Sequence, residues 1–194
     1  MAPASSRPWF TGLSVRLPQI PMILEELVLD TQTAPLRVAL GSDQAGHAYK
    51  SVLSDELRTS GLVGSLIDVT PEESSGLVYP EVAFAAAQLV ACGCADRALL
   101  VCHTGLGMAV AANKVSGVRA VTAHDSLSVR AGVVSNNAQV LALGQGVVGL
   151  ALARRLVGEW LGYRFDGASS AARKVALIGG LELRSLRTLP QGRP

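Results

Sequence analysis

A thiol, a carboxylate, a hydroxyl and an imidazole each stand just after an apolar run in this chain. Asp43 follows Leu36-Arg37-Val38-Ala39-Leu40, Cys102 and Thr104 follow Ala98-Leu99-Leu100-Val101, and His124 follows Val118 to Thr122. The densest segment is Val101-Cys102-His103-Thr104-Gly105-Leu106-Gly107-Met108, which leads into a helix-compatible run up to Lys114. Backbone N–H groups in a Gly-rich turn point outward and stabilise negative charge, and a helix start adds its dipole. A thiol beside them is drawn toward the thiolate and can act as base or nucleophile. A lone Cys before a loop is ordinarily structural; the Gly spacing and the strand-to-helix context favour chemistry. Asp43, Cys102, Thr104 and His124 around an N–H cradle, with no metal, suit removal of a proton next to a carbonyl. Aldose–ketose isomerisation is the simplest reaction of that type.

Alternating elements must position these groups. Strands are expected at 36–40, 65–69, 97–101, 118–122 and 139–143, and helices at 47–59, 80–91, 126–133, 147–161 and 169–178. Pro80 suits a first helical turn, where its missing N–H costs nothing. Val148, Leu152, Leu156 and Trp160 share one helical face. This alternation implies an α/β protein with a parallel sheet covered by helices on both faces. Ligands of such sheets bind beyond the C-terminal ends of the strands. The loops there are 41–46, 102–107, 123–126 and 144–146. Residues 1–35, rich in proline, read as an extension that is either disordered or a short outer helix. The domain covers 36–180, and 181–194 reads as a solvated tail carrying Arg184, Arg187 and Arg193.

Composition bounds the partners. Apolar residues make up 49% of the 194 and aromatics only 4%, so Val, Leu and Ala must build the core. A net charge of +2 is too small to argue for nucleic acid or an anionic membrane surface, and neither is expected as a partner. The odd count of three cysteines, with no secretory signal, fits a reducing cytoplasm. Cys92-Gly93-Cys94 lacks a second Cys pair, so it reads as an inert helix end closed by Gly93 and not as a zinc site. No apolar run reaches membrane-spanning length. The loop Gly41-Ser42-Asp43-Gln44-Ala45-Gly46 lacks the Gly-x-Gly-x-x-Gly spacing of dinucleotide binders. No cofactor and no metal are expected.

From Leu36 to about Ile178 the chain resembles the ribose-5-phosphate isomerase B / galactose-6-phosphate isomerase family. The segments that carry the likeness are Gly41-Ser42-Asp43, Val78-Tyr79-Pro80, Asp96-Arg97-Ala98, Val101 to Gly107, Ala112-Asn113-Lys114-Val115, Gly117-Val118-Arg119-Ala120, Asn136 to Gly144 and Phe165-Asp166-Gly167. They are collinear over the whole domain. The resemblance implies a Rossmann-like three-layer sandwich with a five-stranded parallel sheet. It also implies a homodimer, sometimes a homotetramer, whose sites are shared between subunits. Cys102 then takes the place of the proton-shuttling base. A second branch of the family uses a Glu just after the turn, where this chain has Met108. Thr104 and the N–H groups of Gly105, Leu106 and Gly107 would hold substrate oxygens. Asp43 would bind hydroxyls or assist proton transfer, Tyr79 would line the pocket and Asn113 would brace the turn. His124 reads as a loop residue as readily as a ligand.

Departures from the pattern bear on the substrate. The His that precedes Asn136 in pentose-phosphate enzymes, thought to open the furanose ring, is Ser135 here. A tetrose 4-phosphate forms no furanose ring, because its 4-oxygen carries the phosphate. The form Ser135-Asn136-Asn137-Ala138-Gln139 also looks like members that interconvert D-erythrulose 4-phosphate and D-erythrose 4-phosphate. That reaction is the expectation, with ribose 5-phosphate isomerisation or a non-catalytic role in a heteromer as alternatives. The family's His after the first Asp is Gln44, its Gly-x-Arg-Val is Gly144-Gln145-Gly146-Val147, and its Gly-Gly-Arg-His is Gly167-Ala168-Ser169-Ser170. Arg173 matches a family Arg. The phosphate is then held by N–H groups, Arg173 and Lys174, or it is held weakly. His103 replaces the usual Gly after the Cys, where it adds a donor or crowds the site.

Overall fold

The computed structural model of the chain describes residues 34–70 and 76–188. The expectations for residues 1–33 and for 189–194 lie outside the described residues.

Among the described residues, five strands alternate with six helices. They are β1 (Leu36–Ser42), α1 (His47–Thr59), β2 (Val63–Asp68), α2 (Tyr79–Ala91), β3 (Arg97–Cys102), α3 (Leu106–Ala112), β4 (Ala120–Thr122), α4 (Ser126–Asn136), β5 (Val140–Gly144), α5 (Leu150–Gly162) and α6 (Ala172–Thr188). Every neighbouring strand pair is parallel, in the order β2-β1-β3-β5-β4. The three-layer α/β architecture is therefore as expected. Every residue of β3 and β5 is buried, which is why both read as continuous apolar runs and not as alternations.

Two apolar clusters line the two faces of the sheet. Val38, Leu40, Leu99, Leu141 and Leu143 pack with Leu53, Leu57, Leu156 and Trp160 of α1 and α5. Ala39, Leu100, Cys102 and Ala142 pack with Val82, Ala86 and Met108 of α2 and α3. The split follows the period-2 alternation of strand side chains. The small residues Ala83, Ala86 and Ala87 are fully buried and let α2 sit close to the sheet.

From β1 the chain steps outward to β2, then crosses back to β3 on the other side of β1. The β1/β3 boundary is thus the topological switch point, where the loops after the two strands diverge and leave a crevice. The loop carrying Asp43 and the turn after Cys102 both start there.

Several boundaries differ from expectation. α5 starts at Leu150 and not at 147, because Val147 and Val148 donate their N–H groups to Gly144 O in a turn. α6 starts at Ala172 and runs to Thr188, so residues 181–188 are helix and not an extended tail. The Glu182 carboxylate accepts the Gly117 N–H at 3.1 and 3.2 Å and ties this helix to the domain. Gly93 closes α2 with φ +71°, as its position suggested. The sulfurs of Cys92 and Cys94 are joined as a disulfide across it, which the odd cysteine count did not signal.

Candidate active site

β3 delivers Cys102 to the C-terminal edge of the sheet, buried on the α2/α3 face. Its Sγ accepts the Gly105 N–H at 3.1 Å. That N–H was expected to hold a substrate oxygen; the turn aims it at the sulfur. Gly105 has φ +79°, and a Cβ there would stand 3.0 Å from the Leu143 carbonyl carbon. Both facts require glycine. The Gly105 carbonyl accepts the Thr122 hydroxyl at 3.1 Å. Thr104 Oγ1 accepts the Leu106 N–H at 3.4 Å. Gln145 N–H donates to Cys102 O at 2.8 Å and Gly146 N–H to His103 O at 2.9 Å, so the turn is sewn to the end of β5.

The loop after β1 packs directly on this edge. A Cβ on Gly46 would meet the Val101 carbonyl carbon at 2.4 Å and Cys102 N at 2.8 Å, so only glycine allows the approach. Asp43 Oδ1 accepts the Gly46 N–H at 3.1 Å, which folds the loop back over itself. Behind it, the Ser42 N–H donates to Thr70 Oγ1 at 3.1 Å. Lys50 Nζ donates to Thr70 O at 2.6 Å and to Asp68 Oδ2 at 2.7 Å.

Tyr79 covers the turn from the other side. A Cβ on Gly107 would fall 2.6 Å from its Cε2, so the phenol ring lies flat on the start of α3. A cleft of about 250 Å³ opens between Asp43, Gln44, Ala45, Leu77, Val78 and Tyr79. Its walls thus include three of the residues expected at the site: Asp43, Gln44 and Tyr79.

His124 lies at the same edge, but its Nε2 accepts the Gly144 N–H at 3.0 Å. Burial holds its pKa below the usual imidazole range, against a smaller opposing pull from Asp125. The ring is neutral, with its proton on Nδ1, and it braces β4 against β5. His103 is exposed, and its ring rests against Gly146.

Four expected residues are not brought to Cys102 within one chain. Asn113 caps the far end of α3 and spends both amide groups on Ala120, its Oδ1 accepting at 2.8 Å and its Nδ2 donating at 2.8 Å. It braces α3 to β4 and does not face the cleft. Ser135 and Asn136 stand at the C-terminus of α4, the opposite end from the strand edge that carries Cys102. Asn136 Nδ2 donates to Ala131 O at 2.9 Å. Arg173 is exposed at the start of α6. The sequence reading missed Gly46, Thr70, Lys50 and Gly146. Gly46 carried a signal, a glycine closing a polar loop after a strand, whereas Lys50 looks like any helical lysine.

A thiol seated over a Gly-rich turn at the switch point of a parallel sheet defines a Rossmann-like α/β enzyme of the aldose–ketose isomerase class. The chain belongs to the ribose/galactose isomerase family, which it matches over residues 38–178. Over 141 residues it is 55% identical to D-erythrulose-4-phosphate isomerase 2 of Mycolicibacterium smegmatis, covering 72% of this chain and 93% of that protein. Over 148 residues it is 36% identical to ribose-5-phosphate isomerase B of Escherichia coli, covering 76% and 97%. The solved ribose-5-phosphate isomerase B of Clostridium thermocellum superposes with a TM-score of 0.71 at 36% identity, over 76% of this chain and 98% of that one. The type B enzyme of Leishmania infantum gives 0.74 at 30% identity, over 78% and 99%.

Proposed function

We propose that this isomerase interconverts D-erythrulose 4-phosphate and D-erythrose 4-phosphate through a cis-enediolate, with Cys102 as the proton shuttle. The observation that carries the mechanism is the Gly105 N–H on Cys102 Sγ at 3.1 Å. The bond fixes the sulfur over the Gly-rich turn at the C-terminal end of β3. The turn offers no competing base, since Met108 is fully buried in the core where a carboxylate would otherwise stand. The thiolate takes a proton from the carbon next to the carbonyl and the thiol returns it to the former carbonyl carbon, while the hydroxyl proton of the first carbon passes to the oxygen of the second. The enediolate oxygens draw on the Thr104 hydroxyl and the Gly107 N–H, with Asp43 and Gln44 on the substrate hydroxyls across the cleft.

The four-carbon substrate is supported by Ser135, which leaves no imidazole for ring opening at that position, and by the name of the 55% identical relative. Ser135, Asn136 and Arg173, remote from Cys102 in one chain, fit a homodimer in which a second copy completes each site. No helix among the described residues is long and apolar enough to cross a membrane. The test is to assay the purified chain alone on D-erythrulose 4-phosphate, ribose 5-phosphate and allose 6-phosphate side by side. Preference for the tetrulose is expected. Preference for a ring-forming sugar would move the assignment to the pentose-phosphate reaction, and silence that a paralogue relieves would make the chain a partner subunit.

A further inference from the structure

Among the described residues, the loops at the C-terminal edge of the sheet contain no lysine and no arginine. Residues 43–46, 69–70, 76–78, 103–105, 123–125 and 145–149 include acids, amides and glycines, and their only side chains able to carry positive charge are His103 and His124. Within these loops a bound phosphate monoester has two candidate cationic partners, and Lys50 behind them is already taken by Asp68 and the Thr70 carbonyl. His124 is excluded by its own bond, because its Nε2 already accepts the Gly144 N–H and burial keeps the ring neutral. The His103 imidazole is exposed and makes no side-chain hydrogen bond among the described residues.

His103 is nonetheless held in place. Its carbonyl accepts the Gly146 N–H at 2.9 Å, and the preceding carbonyl of Cys102 accepts the Gln145 N–H at 2.8 Å. The ring lies on the Gly146 backbone so closely that a Cβ there would stand 2.7 Å from Nδ1 and 2.8 Å from Nε2. Any side chain at 146 has to enter the space the ring fills. Both positions depart from the family pattern described above, Gly to His at 103 and Arg to Gly at 146. The contact puts the two departures in one shared space.

We propose that His103, seated on Gly146, is the residue that binds the phosphate group of the substrate. An imidazole donates through whichever nitrogen carries the proton, and through both when protonated. Gly146 serves by having no side chain. The assignment deepens the sugar-phosphate reading of the site and rests on it.

The test compares wild type with His103→Gln, His103→Ala, Gly146→Arg and the double variant His103→Gly/Gly146→Arg. KM and kcat are read on D-erythrulose 4-phosphate, and the affinity for inorganic phosphate is read by calorimetry on each protein. His103→Ala is expected to raise KM and to weaken phosphate binding about tenfold or more, the scale of a charge-assisted hydrogen bond, with a much smaller change in kcat. His103→Gln should fall between. Gly146→Arg alone should be impaired through displacement of the ring, and the double variant should regain phosphate affinity beyond either single change. That non-additivity is what a shared space predicts. Unchanged KM and phosphate affinity in His103→Ala, in an active enzyme, would overturn the proposal. So would loss of phosphate affinity in Arg173→Ala with none in His103→Ala, because the anchor would then be on α6. If wild type turned over no sugar phosphate, the functional reading would fail on its own, while calorimetry with inorganic phosphate would still decide the role of His103. Should Gly146→Arg fail to fold, the two single His103 variants carry the decision.

Discussion

Cys102 Sγ and the Gly105 backbone N–H lie 3.1 Å apart, joined across a turn whose left-handed residue has to be glycine. The strand brings the sulfur and the turn brings the donor, and each is useless without the other. Cys102→Ala should lower kcat by about a thousandfold or more, in the range for loss of a positioned general base. Circular dichroism and melting temperature should stay near wild type, because the side chain lost is small. Activity within a few-fold of wild type would refute the thiol mechanism.

Gly107 and Tyr79 form the lid of that turn. A methyl at 107 would stand 2.6 Å from the Tyr79 ring, which has to tilt toward the cleft to make room. Tyr79 is half-exposed and its ring can swing aside, so Gly107→Ala should change the melting temperature little and reduce kcat/KM about tenfold, the equivalent of about 1.4 kcal/mol of lost positioning. Tyr79→Ala in the Gly107→Ala background should cost less than it does in wild type, as steady-state kinetics on the double-mutant cycle would show.

Behind the Asp43 loop, Lys50 is almost wholly buried against Asp68, which is partly exposed. Lys50→Met leaves the carboxylate and the Thr70 carbonyl without their donor. Breaking a buried pair in this way costs about 3 kcal/mol, here reduced by the exposure of Asp68. Urea titration should show the loss, and Lys50→Met/Asp68→Leu should recover part of it.

His124 makes the stability of the fold depend on pH. Its folded pKa is held below the ordinary 6.5 by burial, so the unfolded chain takes up the proton first. The stability from the neutral ring is present above about pH 6.5 and is lost as pH falls through the folded value. His124→Gln keeps an acceptor for Gly144 N–H but does not titrate. Its melting temperature should fall less than that of wild type between pH 8 and pH 5.

Arg97 sits at the opposite end of β3 from Cys102. It is buried, donates to the carbonyls of Trp160 and Tyr163, and lies 5.2 Å from the Trp160 ring centroid. Burial, aided by the nearby Arg164, brings its pKa down to about 10. Arg97→Ala should lower the melting temperature by several degrees, because two carbonyls at the end of α5 lose their donor. The kcat of the folded enzyme should remain near wild type, since nothing ties this corner to the cleft.

Local signals carried much of the fold. Period-2 and period-3.6 patterns with Gly and Pro stops were enough to separate strands from helices, because they report which face each short segment must bury. The Cys102 turn was legible for the same reason, since its strand, glycines and helix are consecutive in the chain. So was the absence of a carboxylate at 108, a single-letter fact. The end of α6 was hidden because its anchor, Glu182 on Gly117, joins residues far apart in sequence.

What the tertiary structure decided depends on strand order, above all on β5 lying between β3 and β4. That neighbour relation places Gly146 under the His103 ring and Gly144 N–H on His124, and thereby separates two histidines that the sequence presents as equivalent. It also sends Asn113, Ser135 and Asn136 to the ends of helices remote from the thiol. Sequence alone determined the α/β class and the placement of Cys102 before a Gly-rich turn, because those follow from residues consecutive along the chain. Which histidine keeps a free ring, His103 on Gly146 or His124 on the Gly144 N–H, was set only when parallel pairing brought loops from separate strands to one edge.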